Sequence, residues 1–219
     1  MAAASPPAAR RRSGSARSRL IRPGLLYWIG AMPAAWTFWL GLADQLGADP
    51  MKVLERALGL WALRFLVAGL AITPLRRLAG INLLRYRRAI GLLAFFYAAL
   101  HLLVYVVLDQ GLDLAAVWAD IVKRPFITIG MAAFLILVPL AATSSNRMIR
   151  RLGSAWVRLH RWVYLAAAAA AVHFVLSVKS WPPEPLVYAA IVALLLGYRL
   201  VASLRRPIAG TARPALSSR

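Results

Sequence analysis

What most constrains this chain is its division into six apolar stretches, each long enough to cross a bilayer, with nearly all of the charge held between them. About 20 apolar residues are needed to span a hydrocarbon core of about 30 Å. Inside that core every backbone N–H and C=O must find its partner within the protein, so only helices and closed β-barrels can cross. Barrel strands read as segments of about ten residues with alternating polarity. No such alternation is present. The expected fold is therefore all-α: a polytopic membrane bundle of six helices.

The stretches lie at about 23–42, 57–75, 89–108, 125–142, 159–179 and 186–204. Pro33 removes one hydrogen bond from the first and predicts a kink. Thr73-Pro74 is expected to end the second. Trp28, Trp36 and Trp39 suit membrane interfaces. The segment LDLAAVWADIV, between the third and fourth stretches, reads as a short interfacial helix. Pro182-Pro183 prevents the fifth helix from continuing. Residues 1–22, rich in Ala, Ser, Pro and Arg, read as a disordered basic cytoplasmic tail. Residues 206–219 read as a second cytoplasmic tail, and 23–205 as one membrane domain. Arg10, Arg11 and Arg12 precede an apolar run as in a secretion signal, but the later spans predict an uncleaved first helix.

A net charge of +20 raises nucleic acid as a partner. The distribution argues against it. Most of the 27 Lys and Arg lie in the N-terminal tail and in the connections after spans two, four and six. All seven Asp and Glu lie in the connections after spans one, three and five. That segregation follows the positive-inside rule and places both termini in the cytoplasm. The basic residues face lipid headgroups and water, so membrane lipid is the expected partner and nucleic acid is not.

The chain has no cysteine. Disulfides, iron–sulfur clusters and thiolate ligation of haem are excluded. Three histidines supply all of the imidazole. His101 and His173 each stand about twelve residues into an outward-running span and six or seven from its outer end. At 1.5 Å per residue their depths agree to within about one helical turn. An imidazole among lipid-facing residues costs free energy unless it has a partner. Two of them at one depth on neighbouring helices can ligate one haem iron from opposite faces. Such ligation leaves no open position on the metal, which favours electron transfer over oxygen chemistry. In the plainer alternative each histidine hydrogen-bonds a neighbouring helix; the depth match favours the pair. His160 lies thirteen residues before His173, roughly 20 Å towards the cytoplasm and about 140° around an ideal helix. The position thirteen before His101 is Arg88. An inner site would therefore have one histidine and no matching one. Flanked by Arg158 and Arg161, His160 reads equally as a ligand or as a surface residue.

Five segments occur in order: GADP at 47–50, LRFLVAGLAITPLRR at 63–77, RRAIGLLAFFYAALHLLVY at 87–105, RPFITIG at 124–130 and LHRWVYLAAAAAAVHFVLSVKS at 159–180. Together they resemble the MsrQ (YedZ) family of haem-binding membrane subunits, part of a wider ferric-reductase-like transmembrane group. The resemblance implies a bacterial inner-membrane protein that binds b-type haem. It implies electron delivery from quinol to a periplasmic molybdopterin-containing methionine sulfoxide reductase subunit that repairs oxidised proteins. It also implies an association with flavin mononucleotide (FMN). The family's haem histidines fall on His101, His160 and His173. The wider group uses four histidines in two pairs, and Arg88 stands in place of the fourth, which leaves the count at one or two haems. No soluble flavin and nicotinamide domain is expected, and no GxGxxG fingerprint is present. Electrons are expected from a membrane pool or a separate protein, with the chain an electron-transfer subunit rather than a catalytic one.

Arg64, within the second span, could bind a haem propionate or snorkel to the outer interface. Arg77, Arg85, Arg87 and Arg88 could bind quinone headgroups or flavin phosphate, although a positive-inside loop explains them without a ligand. Tyr105 and Tyr164, one turn beyond His101 and His160, read as packing. Two other functions compete: a stand-alone transmembrane quinol-linked or ferric reductase, and a non-redox membrane protein with structural histidines.

Overall fold

The computed structural model describes residues 22–204 apart from Trp181. Except for Arg22, the two expected tails lie outside the described residues. The regular structure is helical: α1 Pro23–Leu42, α2 Pro50–Leu78, α3 Arg87–Val104, α4 Leu114–Lys123, α5 Pro125–Ala142, α6 Asn146–Leu152, α7 Ser154–His160, α8 Val163–Leu176 and α9 Pro183–Leu204. Six segments are long and apolar enough to span a membrane: Pro23–Leu42, Pro50–Leu78, Leu84–Asp109, Pro125–Ala142, Ser154–Leu176 and Pro183–Leu204. The chain is an all-helical, multi-pass membrane protein.

Three boundaries differ from the sequence reading, each for a local reason. First, α2 begins seven residues early. Asp49 caps it by accepting the Lys52 N–H at 3.3 Å, Pro50 takes the first helical position, and Lys52 Nζ pairs with Asp49 at 3.1 Å. The side-chain hydrogen bond from Lys52 holds the Asp49 carboxyl below its ordinary value. Second, Thr73-Pro74 does not end α2, which runs on to Leu78. Proline at 74 deprives the Leu70 carbonyl of its helical N–H, and Arg199 Nη2 donates to that carbonyl instead at 2.8 Å. Third, the stretch 159–179 is not one helix. The chain turns at Arg161–Trp162 between α7 and α8. There the N–H groups of Arg161, Trp162 and Tyr164 bond three residues back, at 3.2, 3.0 and 3.1 Å, the tighter pattern of a helix end.

The expected interfacial helix is present as α4. Before it, α3 passes into a π-turn, Tyr105–Asp109. The Tyr105 hydroxyl donates to Asp120 on α4 at 3.0 Å and holds the two together. Tyr105 thus has a partner that the packing reading did not assign.

Helices α2, α3, α5 and α8 form a four-helix bundle, with α2 beside α3, α3 beside α5, α5 beside α8 and α8 beside α2. Helix α9 packs on α8 and α2, and α1 on α3 and α2. The alanine run of α8 allows close approach, with Ala166 and Ala167 fully buried.

Tyr97 inserts its hydroxyl into α1 beside Pro33. Its hydroxyl donates to the Gly30 carbonyl at 2.7 Å and accepts the Ala34 N–H at 3.0 Å. It stands between a donor and an acceptor that would pair directly in a regular helix, and an inserted side chain is an established cause of kinking. Tyr97 is fully buried, stacks on Phe65 and meets Phe96 edge-on. Tyr97→Phe is expected to cost about 1–3 kcal/mol, the range for an orphaned buried polar group. Thermal unfolding in detergent or lipid checks this, and an unchanged midpoint would contradict it.

Candidate functional site

His101 on α3 and His173 on α8 are brought together at the centre of the bundle. Their ring centroids lie 6.1 Å apart with the planes at 73°. Two metal–imidazole bonds of about 2 Å each would place the centroids about 6 Å apart, so the separation suits two imidazoles on one metal.

The second observation concerns which nitrogen is free. His101 Nδ1 lies 2.9 Å from the Glu55 carbonyl, and His173 Nδ1 lies 2.7 Å from the Phe126 carbonyl. A carbonyl only accepts, so each Nδ1 carries the proton. Each Nε2 is then a lone-pair donor, the tautomer that metal-ligating histidines adopt. Both rings use the same support. The carbonyl comes from one residue of a helix, and a glycine stands four residues later: Glu55 and Gly59 on α2, Phe126 and Gly130 on α5. A carbonyl inside a helix has a second lone pair, accessible only if the next turn carries no bulk. A Cβ on Gly59 would lie 3.0 Å from His101 Nδ1, and one on Gly130 would lie 2.7 Å from His173 Nδ1. Both glycines are therefore required by close approach. The sequence reading assigned them no role; the signal was a glycine at the same offset in two spans, ERALG and FITIG. The Phe126 ring also lies 6.0 Å from that of His173.

His160, at the end of α7, is separate from this pair. The turn at Arg161–Trp162 means that straight-helix arithmetic does not set its direction. Its ring stacks on Trp156 at 3.8 Å, and Nδ1 lies 3.1 Å from the Trp156 carbonyl. The Leu140 carbonyl also faces the ring, but Nε2 is buried without a hydrogen bond.

A model of the ferric reductase like transmembrane component matches residues 57–171. Relatives from Brucella ovis, Brucella canis and Brucella abortus are each 58% identical over 94% of this chain and 94% of their own length. Each carries the name protein-methionine-sulfoxide reductase heme-binding subunit MsrQ. The chain belongs to the MsrQ family. No solved structure matches it.

In this member of the family the remaining candidates are placed as follows. Arg64 does not reach the histidine face. It stands five residues after Gly59, about 140° around α2; its Nε donates to Tyr188 on α9 at 2.9 Å, and its guanidinium lies 4.8 Å from the Trp61 ring centroid. Arg88 is exposed, and its Nη1 donates to Asn146 at 3.0 Å. A guanidinium does not replace histidine as a metal ligand, because it stays protonated. Tyr164 does more than pack: its hydroxyl accepts from Arg199 Nη1 at 2.9 Å. In the sequence, Arg199 reads only as a marker of the end of the last span.

Proposed function

We propose that this chain is the haem-binding electron-transfer subunit of a methionine sulfoxide reductase system in the bacterial inner membrane. It takes electrons from quinol and passes them to a separate molybdopterin-containing reductase subunit at the acidic, periplasmic end; both termini lie in the cytoplasm. The observation that carries the reading is the pair of facing histidines, each with Nδ1 held by a carbonyl and Nε2 free. The names of the relatives support haem as the group between them and the reductase system as the setting.

Haem held there would supply one-electron chemistry. The protein does the rest. His101 and His173 would hold it through their Nε2 atoms. The Glu55 and Phe126 carbonyls orient the rings and make Nε2 a stronger donor. Gly59 and Gly130 let the rings approach those carbonyls. Leu58, Tyr97 and the α8 alanines exclude water. The depth of the pair, towards the acidic end, keeps an electron within reach of a partner on that side. FMN remains an expectation from the family alone.

The match to ferric-reductase-like proteins supports a second reading, a stand-alone quinol-linked or ferric reductase. One experiment separates the two. The purified protein in nanodiscs is reduced with quinol and mixed with either the oxidised reductase subunit or a ferric chelate. The expected result is a b-type spectrum that quinol reduces and the reductase subunit rapidly reoxidises. Reoxidation by the chelate alone would replace this reading with the second.

A further inference from the structure

The two carbonyls that hold the paired histidines are not equally secured. Glu55 is the sixth residue of α2, behind the Asp49 cap and Pro50. Phe126 is only the second residue of α5, and Arg124, at the cap position of that helix, makes no side-chain cap. The first turn of a helix carries N–H groups with no partner inside it. The carbonyl that sets the His173 ring, 2.7 Å from Nδ1, therefore sits where a helix needs support from outside. Glu55 and Phe126 also stand on helices at opposite corners of the four-helix bundle. The relative placement of the two rings thus depends on what joins α5 to α3 at this end.

Helix α4 supplies the join. Asp113 caps it, accepting the Ala115 and Ala116 N–H groups at 3.0 Å each. Val117 and Asp120, three residues apart and so on one face, turn inward, whereas Leu114, Trp118 and Val122 are exposed. The Asp120 carboxylate is only 16% exposed, and both of its oxygens are used. Oδ2 accepts from the Tyr105 hydroxyl at 3.0 Å, and Oδ1 pairs with Arg124 Nε at 3.1 Å. Tyr105 is buried one turn beyond His101, where α3 passes into its π-turn. Such turns occur frequently at functional sites. Arg124 stands two residues before Phe126. The Thr128 hydroxyl, two residues after it, donates to the Ile121 carbonyl of α4. Phe126 is bracketed by two ties to α4, and α4 is tied to the helix of His101.

We infer that Tyr105, Asp120 and Arg124 are positioning residues for His173: through them the helix of His101 fixes the Phe126 carbonyl, and with it the orientation and tautomer of the His173 ring. The carboxylate makes a charge-assisted contact on each side, which is stronger than a neutral one. The inference rests on the haem reading given above for its consequence at the metal. The ring orientation is a property of the protein alone.

The test uses full-length protein in nanodiscs with isotope-labelled histidine, first without haem and then with it. Nitrogen NMR of the haem-free protein reports which ring nitrogen carries the proton, and the single histidine variants assign the signals. In wild type His101 and His173 are expected to carry it on Nδ1. Tyr105→Phe and Asp120→Ala are each expected to give a mixture at His173, with Nε2 protonated in part of the molecules, and to leave His101 unchanged. Asp120→Asn offers one acceptor oxygen where the carboxylate offers two, and is expected to fall between. Glu184→Gln breaks the Arg56–Glu184 ion pair at the same acidic end and is expected to leave both rings as in wild type. With haem added, Tyr105→Phe, which changes no charge, is expected to weaken binding about 10-fold, the low end for losing a partner that orients a metal-bound histidine. Its midpoint potential is expected to become more positive, because a less firmly held imidazole is a weaker donor and stabilises the ferric state less.

An unchanged His173 tautomer in Tyr105→Phe and Asp120→Ala overturns the inference even if both melt earlier, since the contact would then be structural only. Equal changes at His101 and His173 also overturn it, because they report general loosening. If Asp120→Ala does not fold, Tyr105→Phe decides alone. Wild-type affinity and potential in Tyr105→Phe overturn the consequence at the metal. A wild type that takes up no haem, with the His173 tautomer still altered in the variants, overturns the haem reading and upholds the positioning of His173.

Discussion

His101→Ala and His173→Ala are each expected to abolish the low-spin b-type spectrum of the outer site while leaving the fold in place. Each would remove one of the two nitrogens proposed to hold the haem, and the remaining one would not hold it in the same ligand field. The bundle is expected to survive, because its core rests on Leu58, Tyr97, Ala94, Ala166 and Ala167, all fully buried and none dependent on the imidazoles. Neither substitution leaves a charge behind, and the released carbonyls of Glu55 and Phe126 keep their helical hydrogen bonds. The measurement is a reduced-minus-oxidised spectrum alongside the haem-to-protein ratio of the detergent-purified variants. If either variant keeps the wild-type spectrum at full occupancy, the facing pair is not the ligand set. Histidines that merely cross-link helices would give a different result: a lowered melting temperature with no change in colour.

The second large effect comes from residues with no side chain. Gly130→Ala is expected to lower haem affinity by about 10–100-fold, the usual cost of losing a partner that orients a metal-bound histidine. The added methyl would lie 2.7 Å from His173 Nδ1, so the ring must move away from the Phe126 carbonyl that fixes it. Gly59→Ala is expected to follow the same course with a smaller effect, because its Cβ would lie 3.0 Å from His101 Nδ1. Gly91→Ala and Gly197→Ala serve as controls, since a Cβ at either meets nothing within 4 Å. Haem titration of the apo-protein measures all four. Equal losses at all four positions would show a general helix effect and remove the glycines from the site. Retention of wild-type affinity in Gly130→Ala would show that the Phe126 carbonyl does not position the ligand.

Much of the architecture was legible in the chain, for reasons local to each segment. A bilayer allows only helices or barrels, so length and polarity alone located six spans. Counting residues from the arginine-rich ends placed His101 and His173 at one depth. Where the reading missed, a single contact intervened. The Asp49 cap extended α2, and the Arg161–Trp162 turn separated His160 from the helix assumed to carry it. Arg199 and the two glycines drew no functional reading, because a glycine in a span and an arginine near its end are common features.

The sequence by itself determined that the chain crosses a membrane as a helical bundle, and that His101 and His173 stand level with one another. Both follow from distance along a helix, at a fixed rise per residue. Only the tertiary structure decided what each imidazole faces. His101 meets the carbonyl of a residue 46 positions away, His173 one 47 away, and Arg199 reaches one 129 away. Those partners depend on how each helix is rotated and which helices stand beside it. Packing among distant segments sets both, and no local pattern records them.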